Sequence, residues 1–235
     1  SMIEAFKSGG DFHSRTALGM YPEIQKAVDN NEVLLEWDYK NGEPPKPMLK
    51  DVFGAERRKA KTLNFSIAYG KTAFGLAKDW GVPKEEAEET VRLWYNDRPE
   101  VLRWQKEQKE KAFNQGVTQT FMGRYRLLDG IRSPDPRVRS HYERAAINTP
   151  IQGGAADIVM MAMITIHSNL RLRQLGYRLI LQIHDEVILE GPEEYVDEAM
   201  SIVKKCMEHP FEEGTKLKVD LVVDADTAKT WYEAK

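Results

Sequence analysis

The chain has 235 residues, 41% of them hydrophobic and 30% charged, which is ordinary for a soluble globular protein. Its single cysteine, Cys206, excludes a framework of internal disulfides, and the formal net charge of −3 argues mildly against a uniformly basic nucleic-acid binder. Phosphate contacts need only a local basic patch, however, and basic residues cluster at 57–61, 124–139 and 171–173. We see no apolar run of membrane-spanning length and expect no membrane partner.

The first half of the chain is predicted to be helical. The sequence around Ile3 resembles the middle of a secondary-structure element, so we expect the chain to start inside a larger protein. A proline-containing loop is expected at 38–50, because proline removes backbone donors. Glycine and proline set the bounds of the predicted helices. The first helical region is 3–30, with a break at Gly9-Gly10 and a new helix that starts at Pro22. A second helix is predicted at 54–70, ended by Gly70, and a third helical region runs from Pro83 to about Gly116 with an interruption at Pro99.

The second half mixes helices with β-rich runs. Its predicted elements are a hairpin at 117–128 around Gly123, a turn at 133–136, a helix at 138–175 kinked at Pro150 and stopped by Gly176, two strands within 177–190, an amphipathic helix at 193–209 and a strand at 216–224. Helices followed by helix and antiparallel strands favour an α+β fold over a parallel βαβ sheet.

Four residues spaced by four are expected on one face of the helix predicted at 54–70: Arg57, Lys61, Phe65 and Tyr69. Two cations can hold a polyphosphate, arginine as a planar fork and lysine as a point charge. The rings beyond them could stack on a sugar or base. The alternative is a solvated basic end followed by two core aromatics, which spacing alone favours because periodicity mainly reports burial.

The tripeptide His184-Asp185-Glu186 lies at the junction of two apolar β runs, the predicted tip of a hairpin. Adjacent carboxylates there suit Mg²⁺, which prefers oxygen ligands and often binds one or two carboxylates together with phosphates. Two such ions about 4 Å apart can stabilise the attacking and leaving oxygens of phosphoryl transfer. The alternative is an ordinary exposed turn, in which aspartate is common.

The segment 143–157 mixes small residues with Arg144, Asn148 and Gln152. Small residues allow another backbone to approach closely, and amides offer both donors and acceptors. Such groups can read the acceptors that all base pairs share in a minor groove. The alternative is a packed helix whose amides satisfy neighbouring backbone groups.

Together these segments resemble DNA polymerase family A, the DNA polymerase I-like enzymes. The stretch RRKAKTLNFSIAYG (57–70) resembles motif B of the family, and LQIHDEV (181–187) resembles its motif C. ERAAINTPIQGGAADI (143–158) resembles the stretch between those motifs, and GGDFHSRTA (9–17) resembles the Gly-x-Asp-x-His segment ahead of motif B. The order and intervals also fit, so the joint match is far more specific than any single motif.

The resemblance implies a role for each matching residue in template-directed nucleotidyl transfer. Phosphates, sugar and base of the incoming dNTP would be contacted in turn by His13, Arg57, Lys61, Phe65 and Tyr69. The catalytic residues would be Asp185 as the Mg²⁺ ligand, Glu186 in support, and Lys61. Primer–template DNA would be contacted by Arg58, Arg144, Asn148, Gln152 and His184.

The resemblance also implies a partial right-hand polymerase fold, with a mostly helical fingers subdomain at 1–138 and the C-terminal half of an antiparallel-sheet palm at 139–235. The family's motif A strand, which carries a second aspartate ligand of the two-metal Mg²⁺ site, would lie just upstream of residue 3. The thumb and the N-terminal palm would also lie outside this sequence. We therefore expect the chain alone not to polymerise, and its open sheet edge to invite self-association.

Two other functions stay open from the sequence. A single-subunit RNA polymerase shares the hand fold and an aspartate in the matching hairpin, but Phe65 counts against it. A non-catalytic nucleic-acid-binding module is the second, and the intact Asp185-Glu186 pair argues against it. The proline-containing insert at 23–54 resembles organellar polymerases of plants and protists, which implies a plastid, apicoplast or mitochondrial location. We expect the targeting signal itself to lie outside this sequence.

Overall fold

The computed structural model of the chain describes residues 2–7, 11–38, 41–211, 215 and 217–234. Contacts divide the chain into two compact units, Ser1–Ile151 and Gln152–Lys235. The first unit is mostly helical, with one short hairpin. Its elements in chain order are α1 (Met2–Lys7), α2 (Phe12–Met20), α3 (Pro22–Asp29), α4 (Leu49–Val52), α5 (Gly54–Ala68), α6 (Ala73–Trp80), α7 (Lys84–Asp97), α8 (Pro99–Gln115), β1 (Val117–Gln119), β2 (Tyr125–Leu127) and α9 (Pro136–Asn148).

Local sequence signals explain where several of these helices begin and end. The Asp11 side chain caps α2 by accepting a hydrogen bond from the backbone N–H of His13. Pro22 and Pro99 stand in the first turns of α3 and α8, where a missing N–H leaves no bond unmade. Gly116 ends α8 at φ 72°, a left-handed conformation that glycine adopts without a Cβ clash.

The main core of the first unit lies beneath α5. Ala60, Leu63 and Ile67 recur at spacings of three and four and are fully buried, so they form the inner stripe of this helix. They pack in one cluster with residues of α2 and α7, among them Ala17 and Trp94. This packing fixes which side of α5 faces solvent.

A smaller core joins α8, α9 and the β1–β2 hairpin. Leu128 and Ala146 are buried in it. The Thr118 hydroxyl donates a hydrogen bond to the Ala146 carbonyl oxygen over 3.1 Å. Val117 pairs with Leu127 in the antiparallel register of the hairpin. The hairpin is therefore anchored on the helix that carries Arg144 and Asn148.

The second unit packs helices on one antiparallel hairpin. Its elements are α10 (Gly154–Ser168), α11 (Leu170–Gln174), β3 (Arg178–Ile183), β4 (Glu186–Glu190), a 3-10 turn (Glu193–Tyr195) and α12 (Val196–Glu208), and a π-helical segment (Thr149–Gly153) precedes them. Leu179 pairs with Leu189 and Ile183 with Glu186, with an irregularity between Leu179 and Leu181. Buried Ile166, Leu172, Leu175, Ala199 and Cys206 form the core of this unit.

The predicted α+β fold class is confirmed: helices dominate, and the described sheets are two antiparallel hairpins. Both predicted hairpins and the helices that start at Pro22 and Pro99 are present. Pro83 is the N-cap of α7 rather than its first helical residue. The break expected at Gly9-Gly10 lies outside the described residues. The division into fingers at 1–138 and palm at 139–235 stays a prediction.

Three details of the predicted elements were wrong. Helix α6 was not predicted, although Thr72 caps it and Gly81 ends it at φ 67°. The helix predicted at 138–175 is interrupted at Asn169, whose side chain caps α11 by accepting from the Leu172 N–H. Pro150, where a kink was predicted, lies inside the π-helical segment, because proline lacks the N–H that regular α-helical pairing needs.

The third detail is the strand predicted at 216–224. The described residues of this stretch, 217–224, form no strand. Alternating valines and charges favour a strand only when a neighbouring strand supplies hydrogen bonds and covers the apolar face. No described residue pairs with the stretch, and Val222 is 84% exposed.

One helical stretch, Pro136–Ser168, has the length and apolar composition of a membrane-crossing helix, with a mean hydropathy of 1.2 in its apolar 18-residue window. The sequence expectation that no such stretch exists was wrong on this criterion. Core helices of soluble proteins meet the same two criteria, so this is weak support for a span. The absence of a membrane partner stays a prediction.

Candidate functional site

The stripe of α5 predicted to bind a nucleotide faces solvent. Phe65 is 53% exposed and Tyr69, which caps the C-terminus of the helix, is 38% exposed. Leu63 and Ile67 on the opposite side are fully buried. The alternative of two core aromatics is therefore wrong, because the helix already has a separate apolar stripe for its core contacts. Solvent-facing rings of this size are available to a ligand.

The cationic end of the stripe is anchored by one carboxylate. Arg57 Nε donates a hydrogen bond to Asp11 Oδ2 over 2.6 Å. Asp11 also accepts from the Ser14 hydroxyl over 2.6 Å. Partial burial would raise the pKa of Asp11, but the hydrogen bonds and charge of Arg57 and the bond from Ser14 lower it to about 2. Asp11 is thus ionised at neutral pH and orients the guanidinium of Arg57.

Two other cations of α5 are open to solvent. Lys61 and Arg58 are exposed, and within the described ranges no carboxylate pairs with either side chain. By contrast, the neighbouring Lys59 is engaged, since its ammonium lies 3.0 Å from Glu86 Oε1. The arrangement therefore leaves the positive charge of Lys61 uncompensated on the same face as Arg57, which suits a polyanionic ligand.

His13 joins this face from helix α2. Its ring centroid lies 5.6 Å from that of Phe65, and its Nδ1 lies 3.1 Å from the amide nitrogen of Asn64. Burial lowers the pKa of His13, Asp11 opposes this by raising it, and the charges of Arg57 and Lys61 lower it further. The net direction is downward, so His13 is mostly neutral at pH 7. The structure thus gathers His13, Arg57, Lys61 and Phe65 on one surface.

Sequence reasoning missed the two partners that hold this surface together. Asp11 was part of the quoted Gly-x-Asp-x-His segment, but its contact with Arg57 joins residues 46 positions apart. The Asp-x-His spacing before a helix could have identified it as a cap. Asn64 lies off the four-residue stripe and 51 positions from His13, and no local sequence signal indicates their contact.

The predicted DNA-binding residues of α9 lie partly buried. Arg144 Nη1 donates to Ser140 Oγ over 2.8 Å, and Asn148 is half-buried with an Oδ1 that has no hydrogen-bond partner in the described chain. Gly70 passes close to Arg144: a Cβ there would lie 3.2 Å from Arg144 Cγ, and Gly70 has φ +74°. A side chain at position 70 would therefore strain the backbone and require Arg144 to shift. The Asn148 oxygen is both unpaired and buried, so a ligand could donate to it only after neighbouring groups move.

Three predicted residues of the second unit lie at the tip of the β3–β4 hairpin. His184 has φ 53°, a left-handed conformation that costs a non-glycine residue of order 1–3 kcal/mol and that occurs in tight turns and at functional sites. Gln182 Nε2 donates to the His184 carbonyl oxygen over 2.6 Å. Asp185 and Glu186 are exposed beside it. The predicted Gln152 is exposed within the π-helical segment.

The hairpin tip fits part of a Mg²⁺ site. Asp185 and Glu186 supply carboxylate oxygens, the ligands that Mg²⁺ prefers. Within the described residues no cluster of three or more His, Cys, Asp or Glu side chains gathers to hold a metal ion. The tip is therefore compatible with one or two protein ligands, with the remaining positions left to other oxygens.

Comparison with known families decides the identity of the fold. The model of DNA polymerase family A matches residues 45–233. The chain belongs to DNA polymerase family A. The match includes the stripe of α5 and the hairpin tip, the two features that carry the candidate site.

Relatives of this family A chain come from plants and bacteria. It is 57% identical to DNA polymerase I B, mitochondrial, of Oryza sativa subsp. japonica over the whole chain and 23% of the relative. It is 36% identical to DNA polymerase I of Lactococcus lactis subsp. lactis (strain IL1403) over the whole chain and 24% of the relative. The chain thus spans about a quarter of the length of the curated relatives it matches.

A solved structure extends this similarity to three dimensions. The family A chain resembles the POL domain of Pol1 from M. smegmatis, in a complex with DNA primer-template and dNTP, with a TM-score of 0.76 and 30% identity. The superposition covers 94% of this chain and 34% of the other. The folds therefore agree over nearly the whole length of the chain.

The Asp11–Arg57 pair leads to a prediction about stability and pH. Asparagine at position 11 can still cap α2 but loses the charge. Because the pKa of Asp11 falls from 3.8 to about 2, the contribution of its charge is fully present above pH 3.8 and is lost as the pH falls through about 2. After a discount for solvent screening, we expect Asp11→Asn to lower the free energy of unfolding by about 1 kcal/mol at pH 7.

Urea unfolding followed by tryptophan fluorescence at pH 7 and at about pH 2 measures this difference. The difference in unfolding free energy between wild type and Asp11→Asn should become much smaller at the lower pH, where about half of the folded molecules have a protonated Asp11. Asp51→Asn on α4, an exposed carboxylate, is the matched control and should show a small gap at both pH values. A gap for Asp11→Asn that is equal at the two pH values would contradict the role of its charge.

Proposed function

We propose that the protein containing this chain is a DNA-directed DNA polymerase, which transfers a nucleotide from a dNTP to the 3′-hydroxyl of a primer. The observation that carries this proposal is the α5 surface, where Arg57, Lys61 and Phe65 face solvent while a separate stripe of the same helix fills the core. Membership of DNA polymerase family A supports it. The solved relative in complex with primer-template and dNTP supports the same class of ligands.

The α5 surface is proposed to bind the incoming dNTP. Arg57, oriented by Asp11, and the unpaired Lys61 would contact the triphosphate, since arginine and lysine are the usual partners of phosphate oxygens. His13 would donate to the same phosphates. Phe65 would pack against the sugar. Tyr69, at the end of the helix, would lie near the nascent base pair.

Asp185 is the proposed ligand of catalytic Mg²⁺, with Glu186 in a supporting role. When bound, a pair of such ions supplies charge stabilisation to the attacking and leaving oxygens of nucleotidyl transfer. A second aspartate ligand is expected from the motif A strand in another part of the polypeptide. The exposed hairpin tip and its few protein ligands are consistent with this division.

Primer–template DNA is the second proposed partner. Arg144 and Asn148 on α9, with the exposed Gln152 after them, would contact the duplex. Arg58 and His184 would add contacts to DNA. In this proposal residues 1–138 serve as fingers and 139–235 as the C-terminal half of the palm. The thumb and N-terminal palm of the same polypeptide complete the enzyme.

The proposed location is an organelle: a plastid, apicoplast or mitochondrion. Support comes from the 57% identity to a rice relative whose name describes it as mitochondrial. The proposal concerns the full-length protein.

Substitution of the metal ligand tests the proposed chemistry. In the full-length parent, Asp185→Ala should lower primer extension by at least about a hundred-fold, because a metal ion contributes several kcal/mol of charge stabilisation. Binding of primer–template should change little, since duplex contacts come from other residues. Asp197→Ala on α12 is the matched control, because it removes an exposed carboxylate of the same unit. Extension that survives Asp185→Ala would contradict the assignment.

A second experiment tests the dependence on the rest of the polypeptide. The isolated chain should give no measurable Mg²⁺-dependent primer extension under conditions in which the full-length parent extends fully. The reason is that one aspartate of the two-metal site is expected outside this sequence. Size-exclusion chromatography of the same sample reports any self-association through an exposed sheet edge. Robust extension by the isolated chain would overturn the proposal that motif A is required.

A further inference from the structure

The side chain of Asn64 lies in a buried hydrogen-bonded cluster between α2, α5 and α7. Trp94 Nε1 lies 2.9 Å from Asn64 Oδ1, while Asn64 Nδ2 lies 2.9 Å from Thr16 Oγ1 and 3.1 Å from His13 Nδ1. Asn64 and Thr16 are buried, and Trp94 is 1% exposed. Every polar atom of the Asn64 amide therefore has a protein partner.

The indole of Trp94 decides which way the amide points. An indole N–H can only donate, so the Asn64 atom next to Trp94 must be the oxygen. The amide nitrogen then faces Thr16 and His13. The Thr16 hydroxyl accepts from Asn64 Nδ2 and from Arg98 Nη2, and its own proton has two acceptors within reach, the Phe12 carbonyl oxygen at 2.9 Å and Asn64 Oδ1 at 3.3 Å. A reversed amide would place its N–H groups against the indole N–H, where there is no acceptor for them.

The orientation of the amide in turn decides the tautomer of His13. An amide N–H directed at Nδ1 requires that nitrogen to be an acceptor, so the proton of a neutral ring must lie on Nε2. Within the described residues Nε2 makes no hydrogen bond, and His13 shares its exposed surface with Phe65. The charged groups that act on the ring are Asp11, Arg57 and Lys61.

We propose that Asn64 is a positioning residue, which holds His13 with its proton on Nε2 so that this N–H is available to donate to an anionic ligand on the α5 surface. The identity of that ligand as the triphosphate of a dNTP rests on the function proposed above. The chain of donors runs from the Trp94 indole through the Asn64 amide to the His13 ring. A neutral His13 in the other tautomer would instead present a lone pair to the phosphates.

Asn64→Asp replaces the amide donor that faces His13 with an acceptor oxygen and hardly changes the shape of the side chain. The oxygen near Trp94 still accepts from the indole, but the second oxygen now faces His13 Nδ1. A carboxylate there favours a proton on Nδ1, either in the neutral ring or in the imidazolium. Asn114→Asp on α8 is the matched control, since it makes the same chemical change at an exposed position of another helix.

Nitrogen-15 NMR of the histidine-labelled chain tests the tautomer without any ligand. The sequence has five histidines, and His13→Gln identifies the His13 signals by their loss. We expect wild type and Asn114→Asp to show an unprotonated Nδ1 and a protonated Nε2 for His13 near pH 8, and Asn64→Asp to show a protonated Nδ1. A protonated Nδ1 in neutral wild-type His13, or the same state in wild type and Asn64→Asp, would overturn the proposal.

Steady-state kinetics of the full-length parent test whether the Nε2 proton of His13 contributes to dNTP binding. Wild-type Nε2 carries a proton in both the neutral and charged rings, so as the pH titrates His13 the KM for dNTP should change only through the loss of ring charge and less than in Asn64→Asp. In Asn64→Asp, KM should rise by about tenfold as the pH increases and the neutral ring loses its Nε2 proton, because a hydrogen bond to a charged group is lost. The folding of each variant is checked by circular dichroism and thermal unfolding.

The two experiments separate the possible failures. If NMR shows the expected tautomers but KM for Asn64→Asp does not depend on pH, the positioning role of Asn64 holds and the proposed contact of His13 with dNTP fails. If the tautomers are not as expected, the positioning role fails whatever the kinetics show. An unfolded Asn64→Asp would leave wild-type NMR as the deciding measurement, since the wild-type tautomer alone can contradict the proposal.

Discussion

Helix α5 packs one face in the core and turns the other face to solvent as the candidate ligand surface. The rest of the candidate site depends on which residues lie on each face. The helical period places Ala60, Leu63 and Ile67 in the core and leaves Arg57, Lys61 and Phe65 on the solvent side. The core contacts fix the rotation of the helix about its axis. Because that rotation is fixed, the cations stand in one direction without any ligand to organise them, which lowers the ordering cost of binding.

Asn64 lies at the boundary between these two faces. Its amide accepts from the indole of Trp94 in the core and contacts the ring of His13 at the surface. Asp11 makes a comparable connection, since it caps α2 and holds Arg57. Two helices are thereby tied together by polar groups that also set the orientation of predicted ligand contacts. Asn64 and Asp11 therefore stabilise the packing of the helices and also orient the residues of the candidate site.

Much of the fold could be predicted from local sequence signals, because proline, glycine and apolar periodicity act over a few residues. The four-residue stripe and the His184-Asp185 hairpin tip were visible in this way. The contacts of Asp11 with Arg57 and of Asn64 with His13 were not, since they join residues 46 and 51 positions apart. The strand predicted at 216–224 was wrong for the converse reason: β propensity forms a strand only with a partner beside it.

The account depends most on the claim that the α5 surface binds a triphosphate while Asp185 binds magnesium. A crystal structure of the full-length parent with a chain-terminated primer–template, dNTP and Mg²⁺ tests this most directly. The account predicts Arg57 and Lys61 within hydrogen-bond distance of the triphosphate, the ring of Phe65 against the sugar, and Asp185 coordinated to Mg²⁺. A dNTP bound with this surface of α5 turned away from it, or a metal site without Asp185, would contradict the account.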